Sequence, residues 1–402
     1  MPHRPQLHDS RTTGLVLTGG GARAAYQVGV LQGIHQVLRD AGIPKGPMPF
    51  GVISGTSAGA INAAALAARS ASFDHAVATL AKVWAHLHAG RVYRTDTQGL
   101  TRTGGRWLAM LAFGWLRRRS GTRRPPSLLD NGPLVALLQK AIDVRRIRHS
   151  IDRGFIHAIA MSASDYSNGR NVIFYDGAEG VGPWTRSQRL AVRESIQLEH
   201  LLASSAIPFV FPPVPLVCES RLSWFGDGSM RQIAPISPAI HLGAQRILVI
   251  GAGQIDKPGG FVPMPGSADA HEYPSLAQIA GHALSSIFLD SLAMDIERVQ
   301  RVNATLRLIP EESRAQTKLR EVDVLVIAPS ERIDAIAAEH VGALPRRVRA
   351  LLRVIGATEA SGAALASYLL FEPAFTRELM HMGREDTLAR GEDVLRFLLR
   401  NG

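Results

Sequence analysis

Two short apolar runs near the start of the chain are each followed by small residues and then by apolar positions at helical spacing. GLVLT (14–18) predicts a β-strand, the three glycines after it a turn, and Tyr26, Val30, Leu31, Ile34, Val37 and Leu38 one face of a helix. The pattern repeats at once: FGVIS (50–54) predicts a buried strand, GTSAG a turn, and the alanine-rich AINAAALAARS a helix. Two strand–turn–helix units in succession predict a parallel sheet covered by helices. Further strand candidates are FIHAIAMSA (155–163), NVIFY (171–175), RLSWF (221–225), RILVIGAG (246–253) and VDVLVIAPS (322–330). A helical pattern spans 283–306, and the chain from Arg346 onward is mostly helical, interrupted at Pro373. Residues 255–274, with four prolines and three glycines, read as a long surface loop.

Composition narrows the class. At 402 residues, 46% hydrophobic and 20% charged, the chain can bury a sizeable core, and it carries no internal repeat or low-complexity tract. A single cysteine, Cys218, excludes an internal disulfide and a cysteine-cluster metal site. The opening MPHRPQLHDSRTTG is polar and lacks the apolar core of a signal peptide, so a cytoplasmic protein is expected.

Charge adds a partner question. The net charge is +11, with 40 arginines and five lysines. Nine of those arginines fall in residues 91–126 against one acid, Asp96, around the apolar run WLAMLAFGWL. That run is too short to cross a bilayer, which takes about 20 residues. Tryptophans at 107 and 115 flanked by arginine suit a segment lying on an anionic membrane surface or covering an acyl-binding groove; the competing reading is a basic loop whose apolar centre joins the core. Nucleic acid is not expected, because no binding motif accompanies the charge.

Two motifs carry candidate chemistry. Gly55 to Gly59 is G-x-S-x-G between a strand and a helix, the setting in which a sharp turn exposes a nucleophilic serine, here Ser57. Ser54 and Thr56 read as ordinary strand-end and turn residues. Gly19 to Ala24 satisfies the dinucleotide pattern G-x-G-x-x-G/A, but the acid at the required distance, Asp40, sits at a helix end rather than a strand end. No G-K-[ST] follows, which excludes a Walker A loop. An oxyanion hole fits better: side-chain-free N–H groups beside a serine that attacks an ester. For a base, the late histidines His241, His271, His282, His340 and His381 are open to a Ser-Asp-His triad, yet none lies in a small-residue turn after a strand. Asp227 in RLSWFGDGSM does, although an Asp-Gly pair is also an ordinary turn.

Together GGGARAAYQVGVL, GTSAGAINAA, ASSAIPFVFPPV and GDGSM, in that order, resemble the patatin-like phospholipase family, from about residue 14 to 249. The resemblance implies a three-layer α/β/α fold with a mainly parallel sheet and a helical C-terminal extension. It divides the chain into a polar tail (1–12), a catalytic domain (13–250, with the insertion 91–126) and an extension completing the fold (251–402). It implies a serine lipid acyl hydrolase acting on ester lipids without cofactor or metal. Ser57 would be the nucleophile and Asp227 the base, with Gly19, Gly20, Gly21, Ala22 and Arg23 as oxyanion hole, Gly55 and Gly59 shaping the turn, and Gly228 following the aspartate. A catalytically silent lipid-binding protein of the same fold is the alternative. Thr18, Ala24 and Ser229 depart from the family's usual residues, and all three are expected beside the chemistry rather than within it. Gly20→Val is expected to abolish turnover and leave the fold largely intact.

Overall fold

The computed structural model describes residues 7–95, 127–254 and 275–399, except 315, 318, 355, 360 and 361. Most of the basic segment 91–126 and the whole loop 255–274 therefore lie outside the described residues.

Among the described residues ten strands form one sheet: β1 (Thr13–Leu17), β2 (Val52–Thr56), β3 (Ala158–Asp165), β4 (Asn171–Gly177), β5 (Thr185–Arg186), β6 (Arg189–Arg193), β7 (Val214–Cys218), β8 (Arg221–Asp227), β9 (Arg246–Ile250) and β10 (Asp323–Ile327). Their order is β10-β9-β1-β2-β3-β4-β6-β5, with β8 pairing β3 and β7 pairing β8. The five strands from β10 to β3 run parallel, as the strand–turn–helix pattern predicts. Beyond them β4 runs antiparallel to β3 because a short turn returns the chain directly, and β8, which arrives from its own tight turn with β7, is also antiparallel to β3. β5, β6 and β7 were not anticipated from the pattern.

Alternation along β1 sends Leu15 and Leu17 into the core on one face of the sheet and Val16 into the core on the other. Both faces are covered, so the strand is buried throughout. The first face carries α1 (Ala25–Asp40), α2 (Ala58–Ala67) and α3 (Phe73–Ala85), with α4 (Gly132–Ala141) and α5 (Leu198–Ser204). The opposite face carries α6 (Ser237–His241) and, after α7 (Leu276–Ser285), the long α8 (Ser291–Leu308), which buries Leu292 and Val299. α9 (Ala363–Leu369) and α10 (Pro373–Ala389) follow, the latter with proline in its first turn, where a missing N–H costs nothing. α10 packs along α1, where Met380 backbone lies so close to Gly29 that any side chain there would clash. The C-terminal region thus shares the sheet and the core of the N-terminal one.

Residues 7–12 are not a free tail. Leu7 bridges Leu399, the His8 N–H donates to the Leu398 carbonyl, and the Gly51 N–H donates to the Ser10 carbonyl. The continuous helical stretch Ala277–Leu308 is long and apolar enough to cross a membrane by length and composition alone, a feature the sequence reading did not register.

Candidate active site

Strand β3 determines which residues meet. Its edge pairs with β2 from Ala158 to Ser162, ending at Thr56 opposite Ser162. β2 then leaves the sheet into α2, and β8 takes over the same edge, placing Asp227 opposite Ala163. Ser57, one residue past the end of β2, and Asp227, the last residue of β8, are thereby brought to one point.

Ser57 is buried and has φ 56° and ψ −130°, a left-handed conformation that a non-glycine residue rarely adopts. Such strain costs on the order of 1–3 kcal/mol and persists where the surroundings enforce it. They do so here: a Cβ on Gly55 would lie 2.4 Å from the Gly59 carbonyl oxygen, and one on Gly59 would lie 2.3 Å from that of Leu17. The Ser57 N–H donates to Ser204 Oγ at 2.9 Å, which fixes the turn to α5.

Asp227 is fully buried. Its N–H donates to the Ala206 carbonyl, its carbonyl accepts from Ser164 Oγ, and its Oδ1 accepts from the Ser229 N–H at 2.9 Å. Oδ2 has no hydrogen-bond partner of ordinary geometry among the described residues, although the hydroxyls of Ser57 and Ser229 lie close enough to favour the ionised form. Burial outweighs them and pushes the carboxyl up to about 6. Gly228 is needed for room, since a Cβ there would lie 2.2 Å from the Ser162 carbonyl oxygen.

The glycine loop joins β1 to α1. Among the described residues the N–H groups of Gly19, Gly20, Gly21 and Ala22 have no acceptor, whereas the Arg23 N–H donates to the Gly20 carbonyl at 3.1 Å. Arg23 is therefore not equivalent to the other four as a donor. Its side chain is buried: Nε donates to Ser367 Oγ at 2.7 Å, Nη2 to the Ala364 carbonyl at 3.3 Å, and the guanidinium stacks 4.2 Å over the Tyr368 ring. The loop is thus clasped by α9. Gly21, at φ 55°, lies where a Cβ would meet the Tyr368 carbonyl oxygen at 2.3 Å.

The expectation for Gly20→Val needs correction. A Cβ at Gly20 would lie 2.6 Å from that of Ala252, so valine disturbs packing after β9 as well as the loop. Two other readings change. Thr56 is not an ordinary turn residue, because its hydroxyl donates to Gln232 Oε1 at 2.7 Å and Gln232 Nε2 donates to Ser162 Oγ at 2.9 Å. Ser229 lies within the site: its Oγ is buried beside the Asp227 carboxylate, with no hydrogen-bond partner of ordinary geometry among the described residues, and would be 2.4 Å from a Cβ on Gly19. Thr18 and Ala24 do sit to the side, the first bonded to the Ile250 carbonyl and the second through its carbonyl to Asn62. Sequence reading missed Ser204, Gln232, Ser162, Ser367 and Tyr368; only the paired serines of ASSAIPFVFPPV gave a local signal.

A narrow cavity of about 70 Å³ opens beside Gly21, Ser57 and Ala58. It follows α2 past Ile61 and Ala65, is walled by Leu80, Trp84 and Leu138, and reaches Arg69. There Arg69 donates to the Ala141 carbonyl at 2.8 Å. Among the described residues no histidine hydrogen-bonds to Ser57 or Asp227. His241 stacks on Trp184, His340 pairs with Glu378, His282 and His381 are exposed, and His271 lies outside the described residues. Among the described residues no three acidic, histidine or cysteine side chains are grouped to hold a metal ion.

No curated protein matches the chain. Among solved structures, VipD from Legionella pneumophila matches at 13% identity and TM-score 0.33, covering 93% of this chain and 67% of its own. The model of the patatin-like phospholipase family matches residues 15–240, more than half of the chain, and includes the glycine loop, Ser57 and Asp227. The chain belongs to the patatin-like phospholipase family.

Proposed function

We propose that the protein is a serine lipid acyl hydrolase working through Ser57 and Asp227 without a histidine. The observation that carries the reading is a strained, buried serine beside an apolar cavity and a carboxylate with one oxygen unpartnered among the described residues.

In the first half-reaction Ser57 Oγ attacks the ester carbonyl carbon and its proton passes to Asp227 Oδ2. The carbonyl oxygen becomes negative and is met by the free N–H groups of Gly19 to Ala22, each such donor contributing roughly 100- to 1000-fold in rate. The tetrahedral intermediate collapses, the alcohol leaves with the proton from Asp227, and the acyl group stays on Ser57 in the apolar cavity. Water then attacks the acyl-serine, giving its proton to Asp227, and the fatty acid is released as the proton returns to Ser57. A carboxyl near 6 is a better base than an ordinary aspartate and is still ionised at neutral pH. The apolar lining of the cavity by Ile61, Ala65, Leu80, Trp84 and Leu138 suits an acyl chain.

The test is a fluorophosphonate probe followed by an ester-lipid panel. Wild type should label and release fatty acid, and Ser57→Ala should do neither. An unlabelled wild type would instead indicate a silent lipid-binding protein, and an essential histidine would indicate a triad. Catalysis is expected to survive chelators.

A further inference from the structure

On the sheet face opposite the acyl cavity, a second pocket of about 430 Å³ lies between the β5–β6 hairpin, α6 and α8. It is lined by Arg186, Arg189, Arg298 and Arg320, with His241 and Asp295. Asp295, Arg298 and Val302 follow one another at helical spacing on α8, so that helix presents one face to the pocket. Arg186 and Arg189 are directly paired across the hairpin, a placement that is destabilising for like charges.

Among the described residues none of the four arginines makes an ion pair within 4 Å. Arg189 Nε is buried with no hydrogen-bond partner among the described residues. The one acid, Asp295, is buried and accepts from the Ile236 N–H at 2.9 Å. His241, held against Trp184, is pushed down to about 4 by burial and by Arg186, Arg189 and Arg320, so it adds no cation at neutral pH. Arg320 donates to the Ile240 and Ala244 carbonyls and Arg186 to the Thr185 carbonyl, so among the described residues Arg189 and Arg298 are the guanidinium groups without a hydrogen-bond partner, and the four cations share one carboxylate, that of Asp295. Guanidinium groups that line one pocket without an ion pair among the described residues suit the oxygens of a phosphate.

We propose that this pocket binds a phosphate group carrying at least two negative charges, either free or borne by a lipid headgroup. It lies across the sheet from Ser57, so the bound group would not be the ester under attack.

The experiment titrates wild type and the double variant Arg189→Gln/Arg298→Gln with pyrophosphate by calorimetry. In parallel both are sedimented with phosphatidylcholine vesicles containing or lacking phosphatidic acid. Wild type should bind saturably, weakening with salt, and the double variant should bind about tenfold or more weakly. Pyrophosphate binding with no difference between the two proteins on vesicles assigns the site to a free anion. A vesicle difference that depends on phosphatidic acid assigns it to a headgroup. The ligand-free double variant should melt close to wild type, because it loses the repulsion among the arginines together with the attraction of Arg189 and Arg298 to Asp295. A lower melting temperature would mean that these arginines hold the fold, and the proposal fails. It fails equally if neither probe distinguishes the two proteins.

Discussion

Thr56 and Asp227 meet the same edge of β3 at consecutive positions, opposite Ser162 and Ala163. One strand thus sets the separation of the elbow serine from the carboxylate, and Gln232 locks the arrangement by bonding both Thr56 and Ser162. Gln232→Ala leaves two buried hydroxyls without their partner, which costs about 1–3 kcal/mol. Activity should fall mainly in kcat, with KM for a soluble ester little changed, while Gln232→Glu restores part of the acceptor geometry. Steady-state kinetics with a thermal melt checks this; a variant with unchanged kcat removes Gln232 from the site.

The Asp227 carboxyl is raised to about 6 by burial. Under the proposed mechanism activity should therefore fall as pH drops through about 6, where Asp227 takes up a proton. Stability moves the other way: the folded state binds that proton more tightly than the unfolded chain, so the contribution of Asp227 declines as pH rises from about 4 to about 6. Asp227→Asn should be inactive yet at least as stable as wild type at pH 8, which melting curves across pH would show.

Ser57 holds a left-handed backbone that glycine tolerates without penalty. Ser57→Gly and Ser57→Ala should both be inactive, but the glycine variant should be the more stable by about 1 kcal/mol. Denaturant titration of the pair separates backbone strain from loss of the hydroxyl. Equal stability would mean the turn stores no strain.

Ala65 lines the apolar cavity eight residues beyond Ser57 on α2, about 12 Å along the helix. Ala65→Leu should block the deeper half. Turnover of long-chain esters should drop about tenfold relative to short-chain ones, measured on a series of p-nitrophenyl esters. An unchanged chain-length profile would place the acyl group elsewhere.

The strand–turn–helix units of this fold are legible because GLVLT and FGVIS are short apolar runs followed at once by small residues and helical periodicity. G-x-S-x-G gained meaning from that context, and the structure places Ser57 at the turn where the reading expects it. Asp227 was not distinguishable locally from a hairpin turn; what sets it apart is its pairing with Ala163, a long-range register that no nearby residue encodes. The clasp on Arg23 was equally hidden, since Ser367 lies 344 residues away and its sequence neighbours read only as helix. Arg189 and Arg298 lie 109 residues apart with no local signal, and only folding brings them to one pocket.

The hydrogen bond from Arg23 to Ser367 has a consequence for synthesis. A ribosome completes the glycine loop, Ser57 and Asp227 while α9 is still unmade, so the emerging chain holds both side chains before the loop has its clasp. Under the proposed mechanism, hydrolytic power would switch on only when translation nears its end, which would spare the cell's own lipids from a half-made enzyme.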